Sequence, residues 1–478
     1  LHGIKKLETR NWKLETSLMP AARDITLFYL RRWTKLSDPP QLPERSANLT
    51  LSPQDRAFFV DLLSGIIRWR GTLDAVIASR LRQPLDSLQH NIRALLWLGA
   101  YQLLFQRGIT DYAAIDTTVE LAKKHKETTH AAGLVNAVLR NITRLQPTIA
   151  PRTTTLSRRT LALDFATQLT FNEDIFIAPN SNPIAHLAQV RSHPVKYVEH
   201  LRNTYGQSQT SELLLRNNLR PTITLRNDPW HRLPTDEPPS GGFERAALAP
   251  HATPNFLIAS EGWNPTLESL VQKGPLSPQD PTAAKPIQTF AANNPPPATI
   301  LDLCAGMGTK TVQLAATFPE ARIVATDTNS IVLGMLETRA KTLGIKNIQT
   351  LGVHALACSG GKQGGSYDLI LADVPCSNTG VFAKRIQSRW RWPTLDRLAL
   401  AKLQTQLLAQ SASLLAPGGT LIYSTCSIDP AENGELVKTF LTANPSLTLV
   451  QELLTLPSLT ADETAAHDGG YFAILRNK

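Results

Sequence analysis

Hydrophobic positions change their period along this chain. From Ala21 to about Leu145 they recur at helical spacing. Phe58, Phe59, Leu62, Leu63, Ile66 and Ile67 fall three and four residues apart, as one buried helix face requires. Ser52-Pro53-Gln54-Asp55, just ahead of that face, has the form of an N-cap, a proline at the first helical position and an acid three residues after the cap. Ile92-Leu95-Leu96-Leu98 with Leu103-Leu104, and then Leu134-Val135-Val138-Leu139, repeat the pattern. Residues 19–150 are therefore expected to form an all-helical bundle.

Periodicity fades between Pro151 and Pro183, a stretch that reads as a linker with some helix around Leu161 to Leu169. Short helices are expected over 184–218, followed by a strand at Thr222-Ile223-Thr224-Leu225-Arg226 and a second at Phe256-Leu257-Ile258-Ala259. Pro229 to Gly242 is rich in proline and glycine and interrupts order, and the prolines between Pro275 and Pro297 mark a boundary. This makes 184–298 a small α+β element with a Pro-rich linker. From Thr299 the grammar becomes strand and helix in alternation. The short apolar runs Thr299-Ile300-Leu301, Ile323-Val324-Ala325, Leu369-Ile370-Leu371 and Thr420-Leu421-Ile422-Tyr423 predict a mostly parallel sheet with helices on both faces. The fold class expected is multidomain: an all-α N-terminal bundle, a small α+β element and an α/β Rossmann-like domain over 299–478.

Length and charge agree with this division. At 478 residues, and about 150 residues per domain, roughly three domains are expected. The excess of 49 Lys+Arg over 39 Asp+Glu gives a net charge of +10, which favours a polyanionic partner such as nucleic acid. Residues 1–18, ahead of Met19 and the first helical pattern, are expected to be a leader without the apolar core of a signal peptide. No stretch has the length of a membrane span. The four cysteines, Cys304, Cys358, Cys376 and Cys426, have neither disulfide-framework nor zinc-knuckle spacing, and the histidines have no metal-ligand spacing, so reduced thiols, a cytoplasmic location and no metal are expected.

Three constellations carry chemistry. The first is Asp302-Leu303-Cys304-Ala305-Gly306-Met307-Gly308-Thr309-Lys310, a strand that runs into a glycine turn opening a helix, with Asp327 closing the next strand. Such a turn brings backbone N–H groups close to a ligand, and the later acid can accept ribose hydroxyls. On these residues alone S-adenosylmethionine (SAM), another nucleotide and a purely structural turn all stand. The second is Asp373-Val374-Pro375-Cys376 and the third Ser424-Thr425-Cys426-Ser427, each at the carboxyl end of an apolar strand. Two cysteines ending two strands of one sheet, beside an acid and a nucleotide-like turn, suit methyl transfer to carbon 5 of a cytosine. That carbon is too electron-poor to attack a methyl sulfonium until a nucleophile has added at carbon 6. A thiolate can add and leave again, a carboxyl group can hold the base at N3 and its exocyclic amine, and a second thiol can take part in release.

These motifs, with the ending Gly469-Gly470-Tyr471-Phe472-Ala473, resemble the NOL/NOP2/Sun family of RNA cytosine-C5 methyltransferases. Ala113-Ala114-Ile115 and Gly133-Leu134-Val135-Asn136-Ala137-Val138-Leu139-Arg140 resemble a NusB-type RNA-binding domain, a pairing that points to the RsmB branch, which acts on small-subunit (16S) ribosomal RNA. The resemblance implies Cys426 as nucleophile, Cys376 as the product-releasing thiol, and Asp373 in contact with both base and cofactor. It also implies SAM held by Cys304, Ala305, Gly306, Met307, Gly308, Thr309 and Lys310, with Asp327 on the ribose. DNA cytosine methyltransferases are similar in chemistry but use the Pro-Cys cysteine as nucleophile, so the added Thr-Cys favours RNA over DNA.

The chain departs from the family pattern in the small domain after Pro221, where Pro229 to Gly242 leaves little room for an expected helix, and at three motifs. Gly306-Met307-Gly308-Thr309-Lys310 replaces Ala-Pro-Gly-Gly-Lys, Gly352-Val353-His354 stands where an adenine-contacting acid is usual, and Arg385-Ile386-Gln387 replaces His-Pro-Asp.

Between Cys376 and Leu403 lie Lys384, Arg385, Arg389, Arg391, Arg397 and Lys402, interleaved with Trp390 and Trp392. Lys384, Arg385, Arg389, Trp390 and Arg391 are expected to contact RNA, the cations at phosphates and the tryptophan by stacking on an unpaired base. The alternative for this run is a solvated helix face with core tryptophans. Cys358, before the run Gly360-Gly361-Lys362-Gln363-Gly364-Gly365, receives no role. The expected protein is a monomeric rRNA methyltransferase acting on an unpaired or flipped-out cytosine. The competing expectations are an RNA-binding assembly factor without methyl transfer, and a transfer-RNA methyltransferase.

Overall fold

The computed structural model describes residues 22–43, 51–228, 247–260, 262–273, 276–353 and 367–478. The expected leader, the Pro229–Gly242 stretch, His354, Cys358 and the glycine run after it lie outside the described residues. The chain divides into two compact units, one through Pro147 and one from Thr148.

The first unit is helical: α1 (Ala22–Leu30), α2 (Pro53–Ala78), α3 (His90–Phe105), α4 (Asp111–Lys124) and α5 (Ala132–Thr143). Ser52 caps α2 by accepting the Asp55 N–H at 3.1 Å, with Pro53 at the first helical position. The apolar stripe Phe59, Leu62, Leu63, Ile66 and Ile67 is buried, as are Leu95, Leu96, Val135 and Leu139. Two glycines let helices approach closely. A Cβ on Gly65 would lie 2.1 Å from Tyr101 Cζ, and one on Gly99 would lie 2.5 Å from Leu139 Cδ1.

In the second unit, β1 (Thr148–Pro151), β2 (Thr160–Ala162) and β3 (Thr167–Thr170) form an antiparallel sheet in the order β1-β3-β2. The linker expected over 151–183, with helix near 161–169, is thereby corrected. Asp164 Oδ1 accepts the N–H groups of Ala166 at 2.7 Å and Thr167 at 2.6 Å, which folds the chain back as a hairpin and pairs Leu161 with Leu169. Two helices follow, α6 (Pro183–Val190) and α7 (Val195–Asn218), the latter broken at Gly206, whose φ is 75°. A second sheet has the order β5-β6-β4-β7, with β4 (Ile223–Asn227), β5 (Leu248–Pro250), β6 (Phe256–Ala259) and β7 (Leu276–Pro278); α8 (Pro265–Lys273) lies between β6 and β7.

The prolines after 275 do not mark a boundary. Pro281 opens α9 (Pro281–Asn293), and its Ile287 and Phe290 pack into the core of the large sheet.

That sheet comprises β8 (Thr299–Asp302), β9 (Arg322–Asp327), β10 (Ile348–Gly352), β11 (Tyr367–Asp373), β12 (Leu415–Thr425), β13 (Leu447–Thr455) and β14 (Gly470–Asn477). Its order is β10-β9-β8-β11-β12-β14-β13. The first five strands are parallel, and β14 runs antiparallel to both neighbours. Connecting helices are α10 (Thr309–Thr317), α11 (Ser330–Thr342), α12 (Ile386–Arg391), α13 (Arg397–Ser413) and α14 (Gly434–Ala443). Successive strand residues serve opposite faces. Leu301, Val324, Ile370 and Leu421 enter one core cluster, while Ile300, Ile323, Leu371 and Ile422 enter another. This two-sided burial is why these strands read as unbroken apolar runs. The strand order reverses between β8 and β11, and in open α/β sheets ligands bind outside the carboxyl ends of the strands at such a point.

Among the described residues no helix is long and apolar enough to cross a membrane. Gly65→Val is expected to destabilise the helical unit by about 1–3 kcal/mol through overpacking against Tyr101. Faster hydrogen exchange of α2 and α3 amides in the full chain, with strand amides of the second unit unchanged, is the check.

Candidate active site

The carboxyl ends of β8, β9, β11 and β12 bring the predicted groups together. After β8 the chain turns through Gly306 at φ 53° and Gly308 at φ 80°, both in the left-handed region that favours glycine. A Cβ at Gly308 would lie 2.2 Å from Leu336 Cδ1, whereas among the described residues nothing lies within 4 Å of the corresponding point at Gly306. The turn is thus closed on the protein side and open on the other. Asp327, at the end of β9, holds the turn by accepting the Gly306 N–H at 2.9 Å and the Asn329 N–H at 2.8 Å.

Three carboxylates face Cys304 here. Burial, reinforced by Asp302, Asp373 and Asp327, pushes its thiol up to about 12. Burial likewise raises Asp302 to about 7, against a stabilising hydrogen bond from Thr311 Oγ1 at 2.7 Å. A concave glycine turn at a helix N-terminus, open at Gly306 and surrounded by acids, fits a ligand with a cationic centre and a ribose, as SAM has. The end of β10 is different. Gly352, which pairs with Asp327 across the strands, and Val353 carry no hydrogen-bonding side chain toward an adenine.

Asp373 ends β11 beside Ser424 of β12. Lys310 Nζ lies 2.5 Å from Asp373 Oδ1 and donates to Ser424 Oγ at 3.1 Å, while Ser424 donates to the same carboxylate oxygen at 2.7 Å. The carboxylate's rotamer is therefore fixed by a cation from α10 and a hydroxyl from β12. Three residues past Asp373, Cys376 Sγ stands 3.2 Å from Cys426 Sγ. The hydrogen bond with Cys426, then burial, raises the Cys376 thiol well above its ordinary value, so its proton is firmly held.

The backbone behind both thiols is clamped by one buried carboxylate. Glu432 accepts the Ser377 N–H at 2.9 Å, the Ser427 hydroxyl at 2.8 Å, the Gln404 amide at 3.1 Å and the Ser377 hydroxyl. Gly380 donates to the Cys426 carbonyl at 3.0 Å, and a Cβ there would lie 2.5 Å from the Gly469 carbonyl oxygen. The loop over Cys426 admits glycine for that reason.

A family model described as 16S rRNA methyltransferase RsmB/F matches residues 290–467, and the NusB family model matches residues 20–144. Ribosomal RNA small subunit methyltransferase B of Salmonella paratyphi B is 30% identical over 404 residues, covering 84% of this chain and 85% of its own length. The enzyme of the same name from Salmonella arizonae matches to the same extent. This chain belongs to the RsmB/F family. The chain is thus a SAM-dependent 16S rRNA cytosine methyltransferase with a NusB-type N-terminal domain. In fold, the crystal structure of PH0851 is similar with a TM-score of 0.64 at 20% identity, over 89% of this chain and 91% of that one.

The RNA contacts expected after Cys376 need correction. Arg389 is fully buried, its guanidinium donating to Asn218 Oδ1 at 2.6 Å and to the Asn217, Ser192 and Phe382 carbonyls. It binds α7 to the segment after Cys376 and is closed to phosphate. Trp390 is 3% exposed and has no face for a base. Lys384 is held by Asp280 at 2.8 Å and Asp468 at 2.7 Å. Arg385 is exposed and Arg391 partly so. Ser424, Asn378, Glu432 and Gln404 escaped the motif reading. Only Ser424 sat inside a quoted motif, and a lone acid six residues past Cys426 carries no sequence signal.

Because the folded pKa of Asp302 lies above its ordinary value of 3.8, the native state binds the extra proton between about 4 and 7, and stability falls as pH rises through that window. Asp302→Asn is expected to keep the Thr311 hydrogen bond and to flatten that fall, read as urea midpoints at pH 4.5 and pH 7.5 (values spanning about that window). In Arg389→Ala, about 3–5 kcal/mol of stability is expected to be lost, with RNA affinity of the folded fraction unchanged.

Proposed function

We propose that Cys426 is the nucleophile, Cys376 the thiol that serves product release and Asp373 the group that holds the target base, for methylation of carbon 5 of a cytosine in 16S rRNA. The observation that carries this reading is the 3.2 Å separation of two sulfurs at the ends of neighbouring strands, beside a carboxylate of fixed rotamer. Cys304 to Lys310 and Asp327 would hold the cofactor, with Asp373 between cofactor and base. Bound SAM supplies an electrophilic methyl sulfonium for the activated carbon 5.

Cys426 Sγ adds to carbon 6 as a thiolate, and the electron pair of the 5,6 double bond moves toward carbon 5 and the ring. Asp373 accepts from the exocyclic amine and shares a proton with N3, which offsets the charge that develops on the ring. Lys310 and Ser424 keep its Oδ1 in place during that change. Once carbon 5 carries both methyl and hydrogen, that proton passes to water, the 5,6 double bond re-forms, and Cys426 leaves carbon 6 as a thiolate. With Cys426 bonded to the base, the sulfur contact that holds the Cys376 proton is weakened, and Cys376 becomes available to this step. A base inside a duplex is out of reach of such a site, so the target cytosine is unpaired or flipped out.

The site draws all its groups from one chain, which supports a monomer, and the rRNA substrate supports a cytoplasmic location. Of the five residues expected to contact RNA, Arg385 and Arg391 are the cations that are neither buried nor paired with an acid among the described residues, and Arg397 and Lys402 of the same run are exposed beside them.

Cys426→Ala is expected to abolish methylation of 16S rRNA, while Cys376→Ala accumulates a protein–RNA adduct that survives denaturant. Full activity in Cys426→Ala, or an adduct formed only through Cys376, would reverse the two roles. Arg385→Ala and Arg391→Ala are each expected to weaken RNA binding uniformly across sequences and to reduce the slope of log affinity against log salt by about 1.

A further inference from the structure

One side chain touches both halves of the thiol pair and has no place in the reaction above. Asn378 lies two residues past Cys376, at φ 62°, a left-handed conformation that asparagine tolerates better than most residues. Its Nδ2 donates to the Cys376 carbonyl oxygen at 3.0 Å, and its Oδ1 accepts from Cys426 Sγ at 3.3 Å. The first contact decides the orientation of the amide. A carbonyl oxygen can only accept, so the nitrogen must face Cys376 and the oxygen must face Cys426. The loop carrying Asn378 is itself pinned to the Cys426 carbonyl through the Gly380 N–H. The amide oxygen is therefore presented to the sulfur by a loop with little freedom to turn.

An amide oxygen cannot donate. Facing a sulfur, it favours the S–H form and disfavours the thiolate. The arrangement is a relay in which the Cys376 thiol meets Cys426 Sγ and the Cys426 thiol points to Asn378 Oδ1. We infer that Asn378 binds and orients the S–H of Cys426, and is thus a further positioning residue acting on the reacting sulfur. The inference rests on Cys426 being the nucleophile. Thiolate formation then requires the S–H to turn away from Asn378, which links reactivity to the arrival of a base at the sulfur. Other titratable groups on the surrounding elements are Cys376, Asp373, Lys310 and Glu432, with Asp429 held by His200 at 3.1 Å beyond Ile428; substitution at 378 leaves all of them in place.

The test is the rate of alkylation of each cysteine by iodoacetamide as a function of pH, in the full chain without RNA, resolved by mass spectrometry. Asn378→Gly removes the acceptor and suits the positive φ. Cys426 is expected to react about three- to tenfold faster at pH 7, with its pH midpoint lowered. Asn378→Asp keeps an acceptor and adds negative charge, and is expected to slow Cys426 below the wild-type rate. A residue that merely shapes the loop would shift both variants in the same direction, and that result, or an unchanged midpoint in Asn378→Gly, would overturn the inference. The Cys304 rate is the control for intact folding. RNA carrying 5-fluorocytosine separates the underlying reading. If the trapped adduct still forms in Cys426→Ala, the choice of nucleophile fails, whatever the alkylation rates show about Asn378.

Discussion

The site depends on one buried carboxylate with no part in the chemistry. Glu432 is 4% exposed and takes hydrogen bonds from the residue after each cysteine of the pair, and from Gln404 on α13. A buried charge is tolerated when donors surround it, and once surrounded it fixes every donor it holds. Two loops that leave different strands are thereby locked at one separation, and the sulfur contact follows from that lock. Gln404 also donates to the Pro375 carbonyl at 2.9 Å, so the same helix braces the turn leading into Cys376.

Around this clamp the sheet supplies position and the loops supply chemistry. The reversal of strand order between β8 and β11 opens the cleft, parallel register sets Asp373 beside Ser424, and the glycine turn after β8 brings Lys310 to both. Each side chain of the proposed site is held by a neighbour on a different element or loop: Asp373 by Lys310 and Ser424, Cys376 by Cys426, and Cys426 by Asn378. Such cross-holding preorganises the three side chains.

Much of this was legible in the chain, and the failures have physical causes. The four apolar runs of the parallel sheet were visible because burial on both faces removes polar positions. The thiols were visible because cysteine is rare here and both stand at strand ends. The β1–β3 sheet was missed because its strands are short and their hairpin is closed by the Asp164 side chain, a contact with no hydrophobic period. The prolines after 275 suggested a break, yet Pro281 opens a helix and Pro286 sits buried inside it. Arg389 and Trp390 looked like a nucleic-acid surface because composition does not tell which way a side chain points. α7 supplies the carbonyl and amide acceptors that draw Arg389 inward, and no motif links residues 217 and 389.

The close approach of Gly380 and Gly469 has a bearing on biosynthesis. Gly469 donates to the Gly380 carbonyl at 2.8 Å, and directly after it β14 inserts between β12 and β13. Since β14 follows in sequence both strands it joins, a chain translated only as far as Asp468 holds both cysteines but lacks the segment that closes over Cys426. The surroundings of Cys426 are therefore completed by a strand that enters the sheet between two others, after both cysteines are already in the chain.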